Sequence, residues 1–337
     1  MLSALLFIPI IGSLILLPMS EESSTGVTRM KQIALITSMV NFILSIVLWG
    51  EFDSSSVQYQ FVQEFNTLSF CHFNLGIDGI SLYFVLLTTL ITPICILSNW
   101  DNIKFGMKYF LIAFLLMETL LIAVFVVLDL MLFYIFFESV LIPMFLVVGI
   151  WGGSATRIRA SFLLFLYTLA GSLFMLLAIM VIYYNVGSTD FAVVSLSDFS
   201  LGGQKILWLA FFLSFAVKTP LVPFHMWLPR AHAEAPLAGS ILLAGLFLKL
   251  ATYGYIRILI GFMPDATSYF SPLVQTIAIV TLIYSSLATL RQVDFKALVA
   301  YSSISHMAIV VLGLFSNTIV GIEGAIALSI AHGVISP

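Results

Sequence analysis

Charge is what this chain has least of. Asp, Glu, Lys and Arg make up only 9% of its 337 residues, while 61% are hydrophobic. Soluble domains carry about 25% charged residues, so a water-surrounded globule is excluded and a membrane protein with several spans is implied. A basic excess is lacking too. Thirteen Lys and Arg against sixteen Asp and Glu leave a net charge of −3, and no basic patch argues for nucleic acid. Cysteine is nearly absent. Cys71 and Cys95 are too few and too far apart for a metal cluster, and each reads as a packing residue. There is no G-x-G-x-x-G, no P-loop and no Cys-rich run, so the chain is expected to bind no nucleotide and no iron–sulfur cluster. No basic stretch precedes the first apolar run and no Arg-rich presequence stands there, so that run reads as a retained helix.

Apolar runs are what is present. Eleven are long enough to read as spans, near 2–18, 32–50, 79–98, 109–128, 130–151, 160–185, 205–228, 236–260, 272–290, 297–316 and 321–337. The fold class expected is therefore an all-α polytopic membrane protein. Two polar stretches interrupt the pattern. Segment 51–78 carries Glu51, Asp53, Glu64 and Asp78 and no basic residue. Its Tyr59, Phe61 and Phe65 alternate with polar residues, as in an interfacial strand or hairpin. Segment 186–204 is a loop marked by Gly187, Ser188 and Gly202-Gly203.

The basic residues set an orientation. Arg29, Lys31, Lys104, Lys108, Arg157, Arg159, Arg230, Arg291 and Lys296 all follow odd-numbered spans. By the positive-inside rule those loops face the cytoplasm or matrix, and the N-terminus faces the opposite side. Lys205 and Arg257 lie towards that other side, and two lysines remain inside spans.

Ionisable groups in spans are costly and mark ion or proton paths. Glu138 lies within the run Leu130 to Ile150, and Pro143 would free the carbonyl of Ser139 beside it. Lys218 follows the run Ile206 to Val217. It lies about thirteen residues, roughly 20 Å, from the start of that run, too deep for its head to reach back to water. Pro220 and Pro223 predict a broken helix near 218–225, with the carbonyls of Ala216 and Thr219 freed beside Lys218. Lys249 lies about a dozen residues from either end of its span. A carboxylate moving towards or away from such a lysine changes its hold on a proton, which is the physical core of a switchable site. His225, His306 and His332 lie in or beside spans and suit a proton relay. Glu118 is a further intramembrane acid, counted with these on the proton path, whereas Asp129, at the junction of two spans, reads as a helix cap or an interfacial residue. His72 is given no role. His232-Ala233-Glu234 has the H-x-E spacing of zinc deaminases, but no P-C-x-x-C follows, and the match is accidental.

Several stretches together resemble one family. Phe137-Glu138-Ser139-Val140-Leu141-Ile142-Pro143-Met144 and the run from Lys218 to Ser240, with Trp227-Leu228-Pro229 and Ala231-His232-Ala233-Glu234-Ala235-Pro236, are similar to the subunit 4 family of NADH dehydrogenase, the antiporter-like subunits of respiratory complex I. So are Leu290-Arg291-Gln292-Val293-Asp294-Phe295-Lys296 and Ala300-Tyr301-Ser302-Ser303-Ile304-Ser305-His306-Met307. The resemblance covers essentially the whole chain, and the Ala231 to Ser240 stretch favours subunit 4 over the related subunits 2 and 5.

The resemblance implies a proton-translocating membrane-arm subunit of NADH:ubiquinone oxidoreductase in the mitochondrial inner membrane, with the N-terminus towards the intermembrane space. It makes Glu138 the family's charge-pair glutamate, Lys218 its partner and Lys249 the central lysine, with His225, His306 and His332 on the hydrated path. Cofactors are implied only elsewhere in the complex: NADH, FMN, iron–sulfur clusters and ubiquinone. Partners implied are the other membrane-arm subunits, especially 2 and 5, and lipids. The implied organisation is an N-terminal three-helix segment, 1–108, a first five-helix antiporter-like repeat, 109–260, and an inverted second repeat, 261–337, that stops short of the family's length. A second chain supplying the remaining helices is one expectation. Two other readings are a subunit of a multi-subunit cation/proton antiporter, and a structural membrane-arm fragment.

Overall fold

The structure is a computed structural model that describes residues 1–336 apart from 22, 66–72, 104 and 198. Cys71, His72 and Lys104 thus lie outside the described residues. Among those described, nine helices are long and apolar enough to cross a membrane: Ser24–Glu51, Gly79–Ser98, Met107–Val126, Leu130–Trp151, Arg157–Val186, Leu201–Lys218, Leu237–Ile260, Pro264–Thr289 and Phe295–Leu314. Two shorter apolar helices, Leu2–Leu16 and Ile319–Ile335, occupy the first and last of the eleven expected positions. At 15 and 17 residues they fall short of the roughly 20 that a bilayer core asks for.

Helix starts follow local chemistry. Ser23, Asp78, Asp190, Ser200, Asp294 and Thr318 each accept a backbone N–H of the first turn that follows. Asp129 caps as expected, accepting from the N–H groups of Met131 and Leu132, and is fully buried, with Thr189 donating to its other oxygen at 2.7 Å. Pro272 was expected to open its span. The helix starts earlier, at Pro264, and carries Pro272 in its interior.

The acidic stretch forms an antiparallel pair of strands, Gln60–Phe65 and Phe73–Ile77. Its second strand is stitched to the linker between two spans: Leu128 donates its N–H to the carbonyl of Asn74, and Phe191 donates to the carbonyl of Leu128. One end of the bundle is thereby closed by backbone hydrogen bonds, which leaves few polar groups unpaired at that depth.

An ion pair fastens the same end. Arg257 Nη2 lies 2.6 Å from Asp78 Oδ2, its Nε donates to the Tyr253 hydroxyl at 3.2 Å, and its guanidinium stacks near Tyr59. Burial works against the Asp78 charge, but Arg257 and the Ser81 backbone and hydroxyl groups outweigh it and hold the carboxyl below its ordinary range. A depressed carboxyl stabilises the fold above its unfolded pKa, about 4, and loses that contribution only as pH falls through the lower folded value. Asp78→Ala leaves the guanidinium buried without its partner. It is expected to cost about 3 kcal/mol and to lower the temperature of thermal inactivation at neutral pH. An unchanged inactivation temperature would remove the fastening role.

Packing elsewhere depends on small residues, because lipid supplies no hydrophobic drive between helices. A Cβ at Gly254 would stand 2.5 Å from the ring of Phe215, and one at Gly333 would stand 2.6 Å from Leu87. These glycines bring helix Leu237–Ile260 against Leu201–Lys218, and helix Ile319–Ile335 against Gly79–Ser98.

Candidate functional site

The break in the seventh span falls where the prolines put it. Helix Leu201–Lys218 ends at the lysine, a single 3-10 turn covers Phe224–Met226, and a second leg runs Trp227–Glu234. The expected free carbonyl at Ala216 is not free. The chain loosens by one residue, so the N–H of Leu221 reaches Ala216 at 2.9 Å, and the Trp227 indole N–H covers the Val217 carbonyl at 2.9 Å. The Val222 N–H donates to the hydroxyl of Thr281, anchoring the break to the neighbouring helix. The second leg is held through Glu234, whose two oxygens accept from the Ser154 and Thr156 hydroxyls at 2.6 Å each. Burial pushes the Glu234 carboxyl up, yet these bonds dominate and keep it below its ordinary range.

Lys218 is buried, and its ammonium lies between two helices. Nζ donates to the backbone carbonyl of Phe137 at 3.2 Å and sits 3.9 Å above the Phe137 ring. On the other side it is 5.3 Å from the ring of Phe247, on the helix that carries Lys249. Among the described residues it makes no ion pair with Glu138, the residue next to Phe137. Neither carboxylate oxygen of Glu138 has a hydrogen-bond partner there. The Ser139 hydroxyl points back to the Ile135 carbonyl, and helix Leu130–Trp151 is interrupted at Val140, three residues before Pro143. The two charges are thus neighbours whose bond is unmade.

Lys249 is fully buried, and its setting holds a feature that composition did not show. The helix departs from α-geometry on both sides of it, with π-helical turns at Leu243–Phe247 and Tyr255–Ile260. Such turns loosen the backbone ladder and occur often at functional sites. Lys249 Nζ donates to the carbonyl of Ala244 at 2.5 Å, within the first of these turns. Its other contact is His332 Nδ1 at 2.7 Å. An ammonium can donate only to an unprotonated ring nitrogen, so a charged Lys249 requires a His332 ring with no proton on Nδ1. His306 follows, with its ring centroid 5.7 Å from that of His332.

Both histidines line a cavity of about 500 Å³ that also exposes His232, Ser240, Lys296 and Ser302. The cavity runs from the buried Lys249–His332 pair towards Lys296, on the side where the basic loops lie. His232 was set aside at the level of sequence, yet it is buried against this cavity. The signal that could have found it is its position on the second leg of the broken span. His225 is placed apart from this row. Its ring packs against Tyr284 at 5.1 Å and Tyr301 at 6.4 Å, and neither ring nitrogen has a hydrogen-bond partner among the described residues. Glu118 is also apart, among N-terminal helices, where its Oε1 accepts from Asn41 Nδ2 at 2.7 Å. Among the described residues no group of three or more His, Cys, Asp or Glu is placed to hold a metal ion.

The family profile described as NADH:quinone oxidoreductase/Mrp antiporter, TM, matches residues 127–337, which include every site residue named above except Glu118. NADH-ubiquinone oxidoreductase chain 4 of Mycosarcoma maydis is 75% identical over 337 residues, covering 100% of this chain and 70% of that one. The chain belongs to this family. The protein of the same designation from Arabidopsis thaliana is 50% identical, with 99% of this chain and 68% of that one covered. The chain thus spans about two thirds of the length of its chain 4 relatives. A chain of respiratory complex I from Thermus thermophilus superposes with a TM-score of 0.88 at 29% identity, over 100% of this chain and 69% of that one. A chain of the membrane-bound sulfane sulfur reductase, an archaeal respiratory complex, superposes with a TM-score of 0.89 over 99% of this chain and 69% of that one; at 20% identity it shows likeness of fold alone. The antiporter-like helical fold expected from the chain 4 resemblance is therefore the fold observed.

Proposed function

We propose that this chain is a proton-translocating membrane-arm subunit of NADH:ubiquinone oxidoreductase, and that it moves protons by switching one lysine between two partners. The observation that carries this reading is the Lys249–His332 contact, with the His306 ring beside it at a cavity that also carries His232, Ser240, Lys296 and Ser302, and with Lys218 held between Phe137 and the Lys249 helix. Lys218 in the position seen leaves the carboxylate of Glu138 without an ion-pair partner. A swing of its flexible stem towards Glu138 removes a positive charge from the Lys249 helix. A swing back restores that charge and favours release of the Lys249 proton. The Lys249 ammonium then becomes an amine, and His332 Nδ1, at 2.7 Å, takes the proton. His306, His232 and water in the cavity connect His332 with the basic side. His225, on the broken span, serves the approach to Lys218.

Electron transfer belongs to other chains of the complex, and this chain contributes no redox group. The basic loops face the matrix, the N-terminus faces the intermembrane space, and neighbouring antiporter-like subunits, 2 and 5, flank this one in the inner mitochondrial membrane. A cation/proton antiporter subunit would share the Glu and Lys pattern, since the matching profile spans both types. Isolation of the chain in its native complex on a blue-native gel separates the two. Flavin, iron–sulfur proteins and NADH dehydrogenase activity in the same band are expected. A band that carries none of them would sink the proposal.

A further inference from the structure

The proton row leaves one buried acid unused. Glu118 is 1% exposed and Asn41 is fully buried. Asn41 Nδ2 donates to Glu118 Oε1 at 2.7 Å, which joins helix Ser24–Glu51 to helix Met107–Val126. The second atom of each group, Glu118 Oε2 and Asn41 Oδ1, is buried without a hydrogen-bond partner among the described residues. Both are acceptors when the acid is ionised, so both go unsatisfied together.

Among the described residues no cation answers a charge at this place. Of the cations on helices packed against Met107–Val126, Arg29 is exposed near the start of Ser24–Glu51, Lys31 is engaged by Asp101 and the Trp100 carbonyl, Lys249 by His332 and Arg257 by Asp78. Lys108, on the helix itself, reaches the carbonyls of Leu17 and Met19 at its far end. Among the described residues no ion pair reaches Glu118. The other buried titratable group beside it is the thiol of Cys95, which carries no positive charge in either form. A bare carboxylate here would face an uncompensated loss of hydration.

One proton resolves all of this. A hydrogen on Oε2 is a donor and Asn41 Oδ1 is the acceptor that lacks one, so a second hydrogen bond between the two side chains is the expected closure of a two-bonded ring. We propose that Glu118 is a permanently protonated acid paired with the Asn41 amide, a clamp between helices Ser24–Glu51 and Met107–Val126 and not a station on the proton path. This goes beyond the function argued above, which needs no role for Glu118.

The test uses the intact complex. Glu118→Gln keeps the ring, because its amide N–H donates to Asn41 Oδ1 while its oxygen accepts from Nδ2. Protons pumped per NADH are expected to change by less than about twofold. Wild type minus Glu118→Gln infrared spectra are expected to show the carbonyl stretch of a protonated, hydrogen-bonded carboxyl. Glu118→Leu, which cannot pair, is expected to lower the yield of assembled complex. A fall of about tenfold in pumping by an assembled Glu118→Gln complex would overturn the proposal, as would absence of the carboxyl band. Should Glu118→Gln fail to assemble, Asn41→Leu decides by spectrum alone. Loss of the amide acceptor is expected to move the carboxyl band to higher frequency, and an unmoved band counts against the pair.

Discussion

Lys249→Ala is expected to lower proton pumping per NADH by at least about tenfold while the complex still assembles. The lysine is fully buried and has two contacts, the Ala244 carbonyl and His332 Nδ1. Alanine removes the amine that exchanges the proton and leaves His332 with no donor at Nδ1. Arginine at this position is expected to fail equally. Its guanidinium keeps the charge but does not give up a proton in a protein, so it fills space without working as a relay. That pair of results separates a proton-exchange role from a packing role, because a packing role predicts that arginine does better than alanine. Normal pumping in an assembled Lys249→Ala complex would show that the chain serves the membrane arm as structure alone.

Glu138→Gln is the second large effect, again a loss of at least about tenfold in pumping with assembly preserved. Neither oxygen of Glu138 accepts a hydrogen bond among the described residues. The amide keeps the volume, and what it removes is the negative charge that Lys218 can approach. Glu138→Asp, which retains the charge on a shorter stem, is expected to recover part of the rate. The measurement is pumping per NADH with a pH-sensitive dye in reconstituted vesicles, alongside NADH oxidation. If Glu138→Gln pumps normally, Lys218 needs no switching partner at this position and the swing described above is wrong.

Much of the architecture was legible from side-chain chemistry along the chain. Apolar runs fix helices because backbone N–H and C=O groups inside a bilayer have no other partner. Pro220 fixed the break after Lys218, since proline supplies no N–H. The alternation of Tyr59, Phe61 and Phe65 fixed a strand. The local consequences of proline were less legible. Which carbonyl stays open depends on whether a later N–H, such as that of Leu221, can slide into reach, or an indole, such as that of Trp227, can fold back onto it. The π-helical turns beside Lys249 were invisible, because no proline or other local signal marks them and they arise from how that helix is held by its neighbours. His232 was missed because its role depends on a cavity shared with residues some seventy to a hundred positions away.

Sequence by itself determined a polytopic helical protein, the depth of its two lysines and the family to which it belongs, since hydropathy and proline act on neighbours in the chain. The tertiary structure alone decided which polar groups meet. Lys249 and His332 are 83 residues apart, Lys218 and the Phe137 carbonyl 81, Asn41 and Glu118 77. Those encounters are set by how closely helices approach. Gly333, pressed against Leu87, holds the last helix near enough for His332 to reach the lysine, and no local preference along the chain encodes that distance.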